Sequence, residues 1–184
     1  MLLMSQNLHR YGEIPADAVV RINLAWVEDL EVLKEYLDKT KNSIFLDMPL
    51  GRTKPPNNKY TLSEVKSLIS YCNTINYLAI SNVESSIDIK EYIDFFDNQL
   101  SIVPKIETKK GIDNINEIIS VLNNEKVIML DHDDLFLDLS RNNISASNFF
   151  EYIDKLVEAC SKHSIKLLRM RGVIFSDEDE YFYK

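Results

Sequence analysis

Three charged residues in the middle of the chain have the types and spacing of a cation-dependent catalytic site. Lys105 and Glu107 stand two positions apart at the end of an apolar run, so a strand would present both side chains on one face. Asp134 follows the next apolar run, 27 positions after Glu107 (134 − 107 = 27). Carboxylate oxygens suit Mg²⁺ or Mn²⁺, and a lysine beside such an ion would help to stabilise an enolate. The spacing therefore allows a site in which Glu107 and Asp134 bind a metal and Lys105 is catalytic.

The segment 100–138 must position these residues, and its hydrophobic pattern predicts a strand, a helix and a second strand. The strands are 102–106 and 127–130, and apolar residues recur at helical spacing between them, after Gly111. Strands joined by a helix are normally parallel, and their carboxyl ends meet at one edge of the sheet. Neighbouring strands lie about 4.8 Å apart, so two carboxylates there can share one cation. The alternative is that the acidic residues solvate a loop and that Lys105 and Glu107 form a surface ion pair.

The rest of the chain repeats this alternation, and almost every predicted strand is followed by a helix. The predicted strands are 18–24, 43–48, 77–80, 102–106, 127–130 and 165–168, and the predicted helices are 28–39, 61–73, 88–96, 112–122 and 147–162. Alternation of this kind predicts an α/β fold with a parallel sheet. Polar residues stand at the carboxyl ends of most of the strands, which favours a TIM-barrel-like (β/α) fold over an open sheet. No strand is predicted before residue 18, so the barrel is expected to be incomplete or modified.

Composition limits the classes of protein and of partner. The 184 residues suit a single domain, 1–184, in which 1–17 and 176–184 are flexible or interface arms. The net charge is −8, with 29 acidic and 21 basic residues, which argues against a nucleic-acid partner. No signal peptide and no apolar run of membrane-spanning length is recognised, so a cytoplasmic protein without a membrane partner is expected.

Five short segments match, in order, the motifs of one known family: Val20–Asn23, Phe45–Thr53, Tyr77–Ser81, Lys105–Gly111 and Ile128–Leu135. In these segments the chain resembles the barrel of the phosphoenolpyruvate/pyruvate superfamily, and pyruvate kinase in particular. The fourth predicted strand and its loop resemble the family's "KIENxEG", and the following strand resembles "IMVARGDLG". The citrate lyase-like aldolases of the superfamily have a similar "IET" strand, which residues 106–108 also fit.

The resemblance implies roles for individual residues. Glu107 and Asp134 would bind the divalent metal, Mg²⁺ or Mn²⁺, and Lys105 would assist proton or phosphoryl transfer. Arg21 would be catalytic and would bind substrate together with Asn23 and Asp47. The implied ligand is a 2-oxoacid or a phosphoenolpyruvate-like molecule. From the residues alone, Arg21 either clamps such an anion or pairs with Asp47, and Asn23 is either a ligand contact or a hydrogen-bonding residue at a strand end.

The chain also departs from the family's pattern. The nucleotide-covering lid expected after Thr53 is absent, since a short loop leads to Thr61, and an ADP-dependent kinase is therefore not expected. Asp133 and Phe136 stand where the family has glycines beside the metal aspartate. Two function classes remain open: a metal-dependent enzyme of lyase or aldolase type, and a degenerate barrel that serves as a binding or assembly subunit.

Missing barrel strands would leave unpaired sheet edges, which are sites of association with other chains. A homo-oligomer is therefore expected. A second candidate cover for those edges is the aromatic segment after Arg171, with Phe175, Tyr181, Phe182 and Tyr183.

Overall fold

The computed structural model describes residues 1–5, 14–48, 50–51 and 55–170, and these contain a seven-stranded parallel sheet in sequence order. Leu3 in the first strand and Leu168 in the last pack against the same inner apolar cluster, so the sheet curls into a nearly closed barrel. The α/β, incomplete TIM-barrel-like fold predicted from the sequence is confirmed. The strands are β1 (Leu2–Ser5), β2 (Ala18–Asn23), β3 (Ile44–Met48), β4 (Ile75–Ile80), β5 (Ser101–Ile106), β6 (Val127–Leu130) and β7 (Lys166–Leu168).

Seven α-helices accompany these strands in the described part of the chain. Thr61 and Glu64, three positions apart, have the sequence pattern that predicts a capping box at the start of a helix. The structure has this capping box at the start of the second helix: Thr61 Oγ1 accepts from the Glu64 N–H, and the Glu64 carboxylate accepts from the Thr61 N–H. The helices are α1 (Leu30–Lys39), α2 (Leu62–Tyr71), α3 (Ile87–Phe96), α4 (Lys109–Asp113), α5 (Ile115–Val121), α6 (His132–Arg141) and α7 (Phe149–Lys162), with short 3₁₀ helices at Leu24–Trp26 and Ala146–Asn148. Among them, none is long and apolar enough to cross a membrane.

The core has two apolar layers because side chains alternate along each strand. The larger layer lies between the sheet and the helices, and the smaller one fills the barrel interior. The interior layer consists of Val19, Phe45, Tyr77, Ala79, Val103 and Val127. On three of these strands, the residue two positions further on is charged, namely Arg21, Asp47 and Lys105. An apolar floor therefore supports a charged layer nearer the carboxyl ends of the strands.

The structure corrects three expectations about secondary structure. A strand does precede residue 18: β1 pairs with β2 from Leu2↔Ala18 to Ser5↔Arg21, and four residues with partly exposed side chains were too short a pattern to identify it. The acidic stretch after β6 begins the helix α6 instead of a loop. The helix predicted at 112–122 is two helices, which meet at Asn114. Pro49, Arg52, Thr53 and the segment 171–184, with its proposed edge-covering aromatic residues, lie outside the described residues.

Candidate active site

Four charged side chains meet inside the barrel, above its apolar floor. The Nζ of Lys105 lies 2.8 Å from Glu107 Oε1 and 3.6 Å from Asp47 Oδ2. The Arg21 guanidinium donates to the same Asp47 oxygen through Nε, at 3.0 Å, and through Nη2. Asp47, Lys105 and Glu107 are only 0%, 6% and 4% exposed. Charges this deeply buried are tolerated because each has an oppositely charged partner.

Two residues that directly follow β4 support this cluster. Lys105 Nζ donates to Ser81 Oγ at 3.2 Å, and the backbone N–H of Asn82 donates to Glu107 Oε2 at 2.7 Å. The Asn82 side chain also donates to the Leu50 carbonyl at 2.9 Å, which ties the loop after β3 to the end of β4. The predicted site did not include Ser81 or Asn82, and their position at a strand end was the available signal.

The environment of Lys105 and Glu107 shifts both of their pKa values upwards. Burial alone would lower the pKa of Lys105, but the carboxylates of Asp47 and Glu107 outweigh it and raise that pKa above its usual 10.5. Burial raises the pKa of Glu107 above its usual 4.5, and Lys105 and the Asn82 N–H offset this rise only in part. Asp131 contributes further to the rise. The ammonium is held in its charged form, while burial favours the protonated form of Glu107.

Glu107 also belongs to a group of three carboxylates at the carboxyl edge of β5 and β6. Oxygen atoms of Glu107, Asp131 and Asp134 all lie within 4.8 Å of one another. Asp131 directly follows β6 and caps α6, with its Oδ1 accepting from the Asp134 N–H at 3.3 Å. Burial, and next the charge of Asp131, raise the pKa of Asp134 above its usual 3.8. The two predicted ligands are thus brought together, with Asp131 as a third carboxylate that was not predicted as a ligand.

The chemistry of this donor set fits a divalent cation. Its donors are all carboxylate oxygens, which hard ions such as Mg²⁺ and Mn²⁺ prefer. With all groups ionised, the site contains two cations and four carboxylates, so its net charge is 2 − 4 = −2. Two uncompensated charges in a partly buried site are unfavourable. A divalent ion would neutralise them, and the three carboxylates could therefore hold one.

The remaining predicted residues have local partners. Arg21 forms the ion pair with Asp47 that was one of its two sequence-based interpretations, and its Nη1 donates to Ser5 Oγ of β1 at 3.2 Å. The Asn23 side chain accepts from the Ala25 N–H at 3.0 Å and caps the first 3₁₀ helix. Within the described residues, Asp47 Oδ1 is buried and has no hydrogen-bond partner.

Two neighbours of the carboxylate group lie in the first turn of α6. Asp133 is exposed in the first turn of α6 and is not among the three clustered carboxylates. His132 begins α6 and is partly buried. Burial, and next the charge of Arg169, lower the pKa of His132.

No protein-family model and no curated protein matches the sequence. Solved structures match its fold. RipC from Yersinia pestis superimposes with a TM-score of 0.60 at 14% identity, over 90% of this chain and 73% of that one. The barrel resemblance expected from the sequence motifs is confirmed as a fold.

Two further solved structures are similar. The HpcH/HpaI aldolase from Desulfitobacterium hafniense DCB-2 matches with a TM-score of 0.60 at 13% identity, over 81% of this chain and 66% of that one. Macrophomate synthase matches with a TM-score of 0.59 at 13% identity, over 83% of this chain and 62% of that one. Identities this low show a shared fold alone, and the chain spans less than two thirds of these two proteins.

Proposed function

We propose that the protein is a divalent-metal-dependent enzyme of lyase or aldolase type, which acts on a small 2-oxoacid or phosphoenolpyruvate-like ligand. One observation carries the proposal: the Glu107 carboxylate contacts the buried Lys105 ammonium at 2.8 Å and also belongs to the three-carboxylate group. A cationic acid and a site suited to a metal therefore adjoin at the carboxyl edge of a barrel, where barrel enzymes have their active sites. The similarity of the fold to that of an HpcH/HpaI aldolase supports this reaction class.

Each residue of the site has a distinct role in this proposal. Glu107, Asp131 and Asp134 would hold Mg²⁺ or Mn²⁺, and such an ion supplies a Lewis acid that polarises a carbonyl oxygen. Lys105 holds a positive charge beside the carboxylates, where negative charge would develop on an enolate oxygen. Arg21 is the more accessible cation, with 19% of its side chain exposed, and would bind the carboxylate or phosphate of the ligand. Asp47 orients both cations.

Enolate formation is measurable without knowledge of the full substrate. Pyruvate in D₂O with Mg²⁺ and the protein should lose its methyl proton signal faster than in buffer with Mg²⁺ alone. Lys105→Met and Asp134→Asn should abolish the acceleration, whereas Asp133→Asn, an exposed neighbour on the same helix, should retain it. If the protein binds Mg²⁺ but the methyl protons of pyruvate exchange only at the rate seen in buffer, enolate chemistry on pyruvate is refuted.

A kinase reaction with ADP is not proposed, because the sequence has only a short connection between Thr53 and Thr61 where a nucleotide-covering lid would lie. The pyruvate kinase-like detail of the resemblance remains a prediction. Formation of pyruvate from phosphoenolpyruvate and ADP, lost in Lys105→Met, would contradict this part of the proposal.

A degenerate barrel that binds a partner or a ligand without catalysis is the second candidate. One observation favours it: both cations of the site already have carboxylate partners, Arg21 in Asp47 and Lys105 in Asp47 and Glu107. A ligand anion must therefore compete with internal ion pairs. Binding of oxalate, a non-reacting dianion, in calorimetry together with unaccelerated proton exchange would select this candidate.

A further inference from the structure

Four neighbouring strands each place one polar side chain in the layer above the apolar floor of the barrel. Ser81 stands two positions after Ala79, a residue of that floor, so its side chain has the same inward direction. Ile80 pairs with Pro104, so the next residues along the two strands, Ser81 and Lys105, are neighbours. In strand order the layer consists of Arg21, Asp47, Ser81 and Lys105, and Ser81 is its uncharged member.

The ammonium of Lys105 is fully occupied by protein oxygens. It has three N–H donors, and three oxygen atoms lie around it. These are Glu107 Oε1 at 2.8 Å, Ser81 Oγ at 3.2 Å and Asp47 Oδ2 at 3.6 Å. A ligand oxygen could contact the ammonium only by displacing one of them. Two of the three belong to buried carboxylates, which would then lose their cation, so direct contact between Lys105 and a ligand is unfavourable.

The Ser81 hydroxyl has the free donor that Lys105 lacks. A hydroxyl group has one O–H donor and two lone pairs, and Ser81 Oγ uses a lone pair to accept from Lys105 Nζ. Its own hydrogen must therefore point away from the ammonium. Among the residues that the structure describes, none accepts this hydrogen. Ser81 is only 6% exposed, and a buried donor is unfavourable unless a ligand or a water molecule accepts from it.

The contact with Lys105 strengthens Ser81 as a donor. A hydroxyl oxygen that accepts from a charged group is polarised, because hydrogen bonds in such a chain reinforce one another. The positive charge of Lys105 therefore acts at the Ser81 hydrogen. Lys105 also contacts Glu107 of the three-carboxylate group, at 2.8 Å, so this donor adjoins the site suited to a metal.

We propose that Ser81 is a catalytic residue whose hydroxyl donates a hydrogen bond to the ligand oxygen on which negative charge develops. Lys105 is then a positioning residue, which holds and polarises that hydroxyl. Ser81 keeps its proton throughout, and its role is to stabilise charge. This inference rests on the proposed function, because it assigns the hydrogen-bond donor for the oxygen of an enolate.

Oxalate, a non-reacting dianion, is the probe for this contact. In calorimetry of the full-length protein at saturating Mg²⁺, Ser81→Ala should weaken oxalate binding at least about tenfold, because a hydrogen bond to a charged oxygen is lost. Ser81→Thr keeps a hydroxyl and should restore most of the affinity. Ser101→Ala removes an equally buried hydroxyl at the amino end of β5, and this control should bind oxalate as wild type does.

The affinity for Mg²⁺ alone separates contact with the ligand from a structural role. If Ser81 only supported the fold of the site, its loss would disturb Lys105 and Glu107 and would weaken Mg²⁺ binding as well. We expect Ser81→Ala to bind Mg²⁺ as wild type does and to bind only oxalate more weakly. Equal Mg²⁺ affinity also shows that the variant has folded around the same carboxylate group.

Several results would overturn the role of Ser81. They are wild-type oxalate affinity in Ser81→Ala, equal losses in Ser81→Ala and Ser81→Thr, a loss of Mg²⁺ affinity as large as the loss for oxalate, and no oxalate binding by wild type. Proton exchange of pyruvate tests the proposed function separately. Accelerated exchange together with normal oxalate binding in Ser81→Ala keeps the enzyme and removes Ser81 from its site. Unaccelerated exchange together with oxalate binding that depends on the Ser81 hydroxyl refutes enolate chemistry and keeps Ser81 as the donor to the ligand.

Discussion

Lys105 Nζ lies 2.8 Å from Glu107 Oε1 inside the barrel, and the same Glu107 carboxylate approaches Asp131 and Asp134. A single side chain therefore links the buried ion pairs to the group of carboxylates at the barrel mouth. Substitutions in the buried ion pairs should therefore affect the carboxylate group, and substitutions in the carboxylate group should affect the ion pairs.

Removal of one charge from the carboxylate group should weaken binding of divalent metal. We expect calorimetry with Mn²⁺ to find one site, and Glu107→Gln, Asp131→Asn and Asp134→Asn each to weaken it at least tenfold because each removes an oxygen ligand. Asp133→Asn is the matched control and should bind as wild type does. Equal affinity in all four variants would place the metal elsewhere.

Metal binding should weaken at mild acidity. The pKa values of Glu107 and Asp134 are raised above their usual 4.5 and 3.8, so protons compete for these ligands at a higher pH than at ordinary carboxylates. Only the deprotonated forms bind metal, so the apparent affinity is highest at neutral pH and falls as the pH falls through the raised values. Calorimetry between about pH 7 and pH 4 measures this. A flat profile over that range would contradict the raised pKa values.

Replacement of Lys105 should destabilise the fold strongly. Lys105→Met leaves Asp47 and Glu107 buried without their shared cation, and breaking a buried pair costs about 3–5 kcal/mol. The free energy of unfolding in urea measures the loss, and Lys105→Met combined with Glu107→Gln should recover part of it. Lys110→Met is the control, because its ion pair with Glu84 is exposed and should contribute little. A loss as small as that of the control would show that solvent reaches the buried cluster.

Alkaline pH should weaken the buried ion pairs of the same cluster. The pKa of Lys105 is raised above 10.5, its usual value, so the ammonium stabilises the folded state fully below that pH. This stabilisation is lost as the pH rises through the raised value. Wild type should therefore lose more stability than Lys105→Met at alkaline pH in urea unfolding. Parallel losses in the two proteins would contradict this contribution.

Gly111 should not tolerate a side chain. A Cβ atom there would lie 2.6 Å from the Val83 carbonyl oxygen, which is backbone and cannot move aside cheaply. Overpacking of this kind costs about 1–3 kcal/mol, so Gly111→Ala should lower the stability measured in urea. Ser120→Ala, on the exposed face of α5, is the comparison and should remain near wild type. Equal stability of the two variants would mean that α4 can shift away from Val83.

The molar mass of the protein in solution tests the predicted homo-oligomer. Among the described strands, β1 pairs only with β2 and β7 only with β6, so each has a free edge that can pair with another chain. We expect light scattering to give at least twice the mass of one chain, and Leu3→Pro to reduce it by disrupting the edge of β1. A monomer at all concentrations would contradict this expectation.

Local patterns in the sequence determined much of the fold and part of the site. Alternation of strands and helices indicated a parallel barrel, and the capping box at Thr61 identified the start of α2. The period of two along β5 placed Lys105 and Glu107 on one face, where the structure pairs them. These inferences succeeded because they depend on residues within one element or on its immediate successor.

Only the tertiary structure decided which distant residues meet. Asp131 joins Glu107 and Asp134 because it caps α6 at the edge where β5 and β6 end side by side, and a helix whose first turn is acidic resembles a loop in sequence. Arg21 pairs with Asp47 because barrel curvature turns neighbouring strand ends toward one interior, a distance that sequence separation does not encode. β1 was missed because a four-residue edge strand owes its conformation to its pairing with β2 and not to its own pattern.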